Sequence, residues 1–282
     1  MTVSLPSEKT EFTDARTGAR MVKWTASPAK DQHLYFTSPS VTADDRWLVF
    51  ISERTGHPNL FAIDRATGEL HQVSDNEAGL LHAYVYPHGG QTGLSKASPA
   101  MDAHTGTVVW VQDHAVWTAQ VGNKDAPARR VCDLPGDPKM VSGFTHVSKG
   151  GQFACVPVAA PEAFVEKTEG QGGQMRMAYK AFCELGLESL ILVIDLETGE
   201  TVDELSQPFW VTHVVFSAAD PARIIYCQEG GGIVSQRTWA WQREAPGVPR
   251  SKVGGRPLAP QPADEWMSHE KYDPTGQFII AH

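Results

Sequence analysis

Thr42-Ala43-Asp44-Asp45-Arg46-Trp47-Leu48-Val49-Phe50, followed by Asn59-Leu60-Phe61-Ala62-Ile63-Asp64-Arg65-Ala66-Thr67-Gly68, decides the architecture. A polar turn leads into a short apolar strand. A polar loop follows, then a second strand that runs into Asp-x-x-Thr-Gly. Asp, Asn and Gly tolerate the positive φ that tight hairpins demand. Runs rich in β-branched and aromatic residues suit pleated, largely buried strands. The segment therefore predicts two adjacent antiparallel strands and a hairpin turn.

The same signals recur along the chain. The second copy is Met101-Asp102-Ala103-His104-Thr105-Gly106-Thr107-Val108-Val109-Trp110, then Ala115-Val116-Trp117-Thr118-Ala119. The third joins Val147-Ser148-Lys149-Gly150-Gly151-Gln152-Phe153-Ala154-Cys155 to a strand ending at Asp195 and to Leu196-Glu197-Thr198-Gly199-Glu200. The fourth begins at His213-Val214-Val215-Phe216-Ser217 and continues through Ile224-Ile225-Tyr226-Cys227 and Thr238-Trp239-Ala240-Trp241. A fifth opens at Tyr272-Asp273-Pro274-Thr275-Gly276-Gln277-Phe278-Ile279-Ile280. Repeated antiparallel units with little helix between them predict an all-β fold, a β-propeller of four-stranded blades, rather than a parallel α/β sheet. A β-sandwich is the competing architecture, but it need not repeat its turn chemistry at each step. Val49, Phe50, Val109, Trp110, Ile194 and Ile225 are the expected core.

Residues 1–282 read as a single propeller domain, here an incomplete ring of about four to five blades. Asp14-Ala15-Arg16-Thr17-Gly18 resembles the second half of a unit with no first half before it, the pattern expected of an N-terminal strand that closes a ring. The chain ends in the second strand of the fifth unit, so the expectation is a truncated C-terminus. Residues 161–187 form an insertion in the third blade. They contain a Gly-rich stretch and a short helix from Gln174 to Glu184, with Met175, Met177, Ala178, Ala181 and Phe182 on its inner side. A lid over one face and a mobile surface excursion both fit that pattern.

Composition narrows the function. The formal net charge is −9 and no Lys/Arg run stands out, so no nucleic-acid partner is expected. Any anion site must be a local cluster that overrides the global field. No apolar stretch is long enough for a membrane span, and the first residues lack the apolar region of a signal peptide. The four cysteines are widely spread. They read as free thiols in a reducing cytoplasm.

No Gly-rich phosphate loop, HExxH or GxSxG is present. Histidine stands out, with 11 residues, several at strand starts beside aromatics: His33-Leu34-Tyr35-Phe36, Thr212-His213-Val214 and Ser268-His269-Glu270. In a propeller the innermost strands begin near the channel, so such residues converge although distant in sequence. Any one of them could equally bond a loop carbonyl. A second cluster is Cys227-Gln228-Glu229-Gly230-Gly231-Gly232-Ile233-Val234-Ser235-Gln236-Arg237. Arg237 there could grip a carboxylate bidentately or cover a blade edge.

Together these segments, with Asn59-Leu60-Phe61 and Asp220-Pro221, resemble oligogalacturonate lyases. The resemblance implies a seven-bladed propeller of the TolB type. It also implies β-elimination of short, unsaturated galacturonides in pectin breakdown. A small acidic oligosaccharide is then the partner, and a manganese ion neutralises its carboxylate. Carried over by position, Arg237 and His213 are the catalytic candidates, and His33, Tyr35, Gln228 and His269 the substrate-binding ones. The resemblance leaves no metal ligand within the chain; the manganese ligands would lie beyond residue 282. It also lacks the family's base, since Gly232 or Ile233 stands where that histidine is expected. Gln228 replaces another histidine. Reduced or lost activity is therefore expected. A non-catalytic propeller that binds carbohydrate or protein is the alternative, and the propeller cap of a serine peptidase a distant third.

Overall fold

The computed structural model describes residues 4–79, 94, 98–123, 126–136, 140–164, 171–244, 254–262, 265 and 267–281. Its first blade contains β4 (Asp31–His33), β5 (Trp47–Ser52), β6 (Asn59–Asp64) and β7 (Leu70–Gln72). Ahead of these come β1 (Ser4–Leu5), which adds to the outer edge of β7, and the separate hairpin of β2 (Thr10–Thr13) and β3 (Arg20–Lys23). The second blade is β8 (Ala100–Asp102), β9 (Thr107–Gln112), β10 (Ala115–Gln120) and β11 (Arg129–Asp133). The third is β12 (Val141–Ser142) and β13 (His146–Val147) along β14 (Phe153–Ala159), then β15 (Ser189–Asp195) and β16 (Thr201–Gln207). The fourth is β17 (Val211–Phe216), β18 (Arg223–Gln228), β19 (Thr238–Gln242) and β20 (Gly255–Pro257). A last hairpin pairs β21 (Lys271–Tyr272) with β22 (Ile279–Ile280). All pairings between these strands are antiparallel, in successive order in the first, second and fourth blades as the repeats predict, while in the third both β12 and β13 pair with β14. The added strand β1 is a finding; its sequence carries no strand pattern.

The turn chemistry works as the residue types require. Asp14, Asp64, Asp102 and Asp195 each accept backbone N–H groups from the turn through a carboxylate oxygen. Gly18, Gly68, Gly106 and Gly199 each close the same turn by donating to that aspartate's carbonyl. The glycines take φ between 72° and 80°, which a Cβ disfavours. Asp273 builds the fifth copy with Thr275 and Gly276. The hydrogen bond from Thr275, with others from the turn, holds its carboxyl down at about 2.

Packing runs from blade to blade. Leu34, Val49, Ile51 and Leu60 meet Met101, Val108 and Trp110. The other face of the second blade, with Val109 and Val116, meets Val156, Leu192 and Ile194. The third blade then presents Cys155, Ile191 and Val193 to Val214, Phe216, Ile224 and Tyr226. All six expected core residues are buried. At one end of the arc Phe50, Phe61 and Leu70 are covered by Leu5 and Trp24. There Arg54 is buried between Glu8 and Asp31, at 3.0 and 3.2 Å, and over Phe50 and Phe61.

The insertion forms α1 (Gln171–Leu185) between β14 and β15. Ala178 and Phe182 are buried against Phe164, Val141 and Trp210, with Met175 and Ala181 beside them. Met177, expected on that face, is only partly buried and lies outside this cluster. The helix is thus a packed cap over the third and fourth blades. Residues 165–170, which include part of the Gly-rich stretch, lie outside the described residues. No described helix is long and apolar enough to cross a membrane.

The innermost strands of blades three and four touch directly. Phe144 and His213 form a parallel bridge, and the Phe144 N–H donates to the Thr212 carbonyl at 2.6 Å. Gly143 makes the approach possible, because a Cβ there would collide with that same carbonyl. Gly143→Ala is expected to destabilise the protein by about 1–3 kcal/mol in urea denaturation, the usual cost of overpacking.

Candidate functional site

Four of the six residues singled out from the sequence come together at this inner contact. Tyr35 follows β4, His213 lies on β17, Arg237 immediately precedes β19, and His269 precedes β21. Tyr35 stacks on Phe144 at 4.0 Å, and Phe144 stacks on His213 at 4.4 Å. Phe36 packs on Tyr35 and meets the edge of His269 at 5.1 Å. His269 is exposed and has φ 56°, a left-handed conformation unusual for a residue with a Cβ. Gln228 lies at the end of β18, and its backbone N–H donates to the Arg237 carbonyl at 2.7 Å. His33 stands apart. It is exposed, its Nδ1 lies 2.6 Å from the Leu34 carbonyl, and no hydrogen bond or ring contact joins it to the others among the described residues.

Beneath the aromatic stack is a buried polar chain. Arg237 Nε donates to Glu270 Oε2 and its NH1 to Glu229 Oε1, both at 3.1 Å. Burial alone disfavours the Arg237 cation, but the nearby Cys227, Glu229 and Glu270 raise its pKa above the ordinary value. Burial likewise opposes the Glu229 carboxylate, and Arg237 reverses this, leaving its pKa lowered. Glu229 Oε2 accepts a hydrogen bond from Thr212 Oγ1 at 2.9 Å. That hydroxyl also lies 2.7 Å from His213 Nδ1 and 3.1 Å from Cys227 Sγ. Having donated its proton to Glu229, it must accept from both. His213 is thereby held as the Nδ1–H tautomer. Burial, with Arg237 adding to it, pushes its pKa down to about 4, so it is neutral near pH 7. Burial pushes the Cys227 thiol up to about 12.

His213 Nδ1, Cys227 Sγ and Glu229 Oε2 lie within 4.8 Å of one another, as metal ligands do. They do not fit a manganese ion. The Thr212 hydroxyl occupies the centre of the three, the Arg237 cation is bonded to the same carboxylate, and a protonated thiol is a poor ligand for a hard cation.

Arg237 was the expected grip for a substrate carboxylate. The structure gives it two internal carboxylates instead and leaves the residue 5% exposed. Sequence reasoning missed Glu229, Glu270, Thr212 and Phe144 as parts of the site. Glu229 and Glu270 each sit beside a residue that it did single out. Nothing in a linear pattern marks a glutamate as the partner of an arginine a blade away.

The fold and site define a class, a β-propeller with an ionisable cluster where the inner strands meet. Two solved oligogalacturonate lyases share this fold over 99% of the chain, each with a TM-score of 0.75. One, in complex with manganese, is 18% identical, and the other, from Vibrio parahaemolyticus, is 14% identical. This chain spans 66% and 67% of their lengths. Hydrazine synthase from Kuenenia stuttgartiensis superposes less well, with a TM-score of 0.51 and 12% identity, over 97% of this chain and 67% of its own. No family model and no curated protein matches the sequence. The fold is that of oligogalacturonate lyases.

Replacing Arg237 with Met leaves Glu229 and Glu270 buried without their cation. A loss of about 3–5 kcal/mol in urea denaturation is expected, partly recovered by adding Glu229→Gln. His213 and His146 predict a pH dependence. Burial holds both at about 4 against an ordinary 6.5, so below pH 6.5 the unfolded chain binds protons that the folded one refuses. Stability is present above that pH and falls as pH drops toward 4, by up to about 1.4 kcal/mol per pH unit for each histidine. His146→Gln should reduce the slope of unfolding free energy between pH 6.5 and 5 by up to that amount.

Proposed function

We propose that this chain is a lyase-type propeller whose channel end engages short galacturonides, with weak or no elimination of its own. The observation that supports this most is the fold match over the whole described arc at TM-score 0.75, against 0.51 for the hydrazine synthase. A short acidic oligosaccharide is the ligand class proposed, and a reducing cytoplasm, in which all four cysteines stay free, is the proposed setting.

Elimination needs a base for the C5 proton, neutralisation of the C6 carboxylate and departure of the O4 oxygen. His213 suits the first role poorly, being buried, neutral and held through Nδ1. His269 suits it better, because its imidazole is exposed beside the aromatic stack. Neutralisation is the weak point. Arg237 is the cation of the buried chain beneath the stack, and its charge is already answered by two glutamates. That pairing favours the second reading, a propeller that binds the acidic sugar without turning it over.

Turnover of digalacturonate with added manganese creates a conjugated C4–C5 double bond and is followed by ultraviolet absorbance, with binding measured in parallel by calorimetry. Binding with turnover absent or barely above background is the expected result. Robust turnover that falls about 10²- to 10⁴-fold in His269→Ala would establish a working lyase with that base. Absence of both binding and turnover would refute the galacturonide reading.

A further inference from the structure

A cavity of about 340 Å³ lies away from the inner strands, between the outer strands of the first and second blades. Its apolar walls are Ala62 of β6, Val73 just after β7, Ala119 of β10, Val121, and Ala128 just before β11. Val73, Ala119 and Ala128 are only partly buried, at the margin of the core between these two blades. Small side chains stand there where the centre of the same core carries Leu, Ile, Met and Trp, so the two sheets meet without filling the space between them. The far wall is fixed in place. Gly122 takes φ 80°, and a Cβ on it would collide with the Trp47 ring, so the turn after β10 is seated directly on the first blade.

One end of the cavity is polar, and the added strand β1 builds it. The register sets Ser4, His71 and Ala62 side by side across β1, β7 and β6, all on the face toward the second blade. Ser4 Oγ donates to Glu69 Oε1 at 2.5 Å and lies 3.1 Å from His71 Nδ1. Its one proton is given to Glu69, so it accepts from the imidazole, which places the ring proton on Nδ1. His71 Nε2 then lies 3.7 Å from Glu69 Oε2. Glu69 and His71 both line the cavity, and no Lys or Arg does so among the described residues. The space is thus an apolar body with a carboxylate at its mouth.

We propose that this cavity binds a small amine with a flat aromatic body of one or two rings, the rings against Ala62, Ala119 and Val121 and the ammonium on Glu69. Size sets the body. An apolar cavity of about 150 Å³ takes benzene, and this one has roughly twice that room, at the small end of ligand pockets. Charge sets the other end. A carboxylate at the mouth attracts an ammonium and repels an acid. An acidic oligosaccharide meets neither condition, so the site is separate from the galacturonide reading and does not rest on it.

Tryptamine titrated into the full chain by calorimetry tests the site. One molecule per chain is expected, with a Kd of about 0.1–1 mM, which about a dozen heavy atoms can supply. Indole-3-acetate carries the same rings and an acid, and should bind about tenfold more weakly or not at all. Glu69→Gln keeps an acceptor for Ser4 and should weaken tryptamine about 2- to 5-fold, the effect of a partly exposed ion pair. Ala119→Phe fills the cavity and should abolish binding in a chain whose circular dichroism is unchanged. Should that variant fail to fold, Ala128→Phe fills the space from the half-buried wall. Digalacturonate should not displace tryptamine, which separates failure of this site from failure of the galacturonide reading. Indole-3-acetate binding as tightly as tryptamine, tryptamine binding undiminished in Glu69→Gln or in a folded cavity-filled variant, displacement by digalacturonate, or no tryptamine binding at all would each overturn the proposal.

Discussion

The guanidinium of Arg237, buried between Glu229 and Glu270, is the contact on which the functional end of this propeller depends. Removing three charges from water is expensive, and their attraction compensates only when the geometry is good. Here both bonds are 3.1 Å and the remaining Glu229 oxygen is held by Thr212. The contact joins the end of β18 and the start of β19 to the segment before β21. It thereby ties the fourth blade to the hairpin that follows. The orientation of His213 and its tautomer follow from that arrangement, while burial keeps the Cys227 thiol protonated.

The other end of the arc uses the same device. Arg54 is buried between Glu8 and Asp31 and over two phenylalanine rings, and it ties the N-terminal residues to the first blade. Between these two arginines each blade junction has an apolar core, supplemented by hydrogen bonds such as Met101 N–H to Ser38 Oγ and Phe144 N–H to the Thr212 carbonyl. Stability in such a series is close to a sum over neighbours. A further pair, Arg243 with Asp203 at 3.1 Å, joins the third blade to the fourth. Arg54 and Arg237 each fix a segment that the hydrophobic repeats do not hold.

Function in this protein is separated from the repeats in the same way. The strands supply a rigid frame, while the groups able to bind or react lie at strand ends and in the connecting turns. The cap formed by α1 packs against this region. Tyr179 of the helix lies against Gly230, directly after Glu229, where an added Cβ would meet its ring. A change in the cap thus reaches the buried chain of hydrogen bonds through one residue.

The blades were legible in the sequence because their determinants are local. An aspartate that accepts from its own turn, and a glycine four residues on with positive φ, act within five residues. Apolar runs such as Trp47 to Phe50 need only a neighbouring sheet, whichever it is. Tyr35, His213, Arg237 and His269 were also legible as a set, since strand starts converge on the axis of any propeller. Their roles were not. Whether Arg237 faces a ligand or an internal carboxylate depends on Glu229 and Glu270, and the latter is 33 positions away. Whether His213 is a base or a neutral acceptor depends on a hydroxyl, a thiol and a carboxylate that only the folded blade brings within hydrogen-bonding distance. The added strand β1 and the isolation of His33 belong to the same group. The sequence by itself determined the repeating unit, because turns and strands are written in adjacent residues. The tertiary structure alone decided the charge and protonation state of each site group, because those depend on burial and on neighbours from other blades.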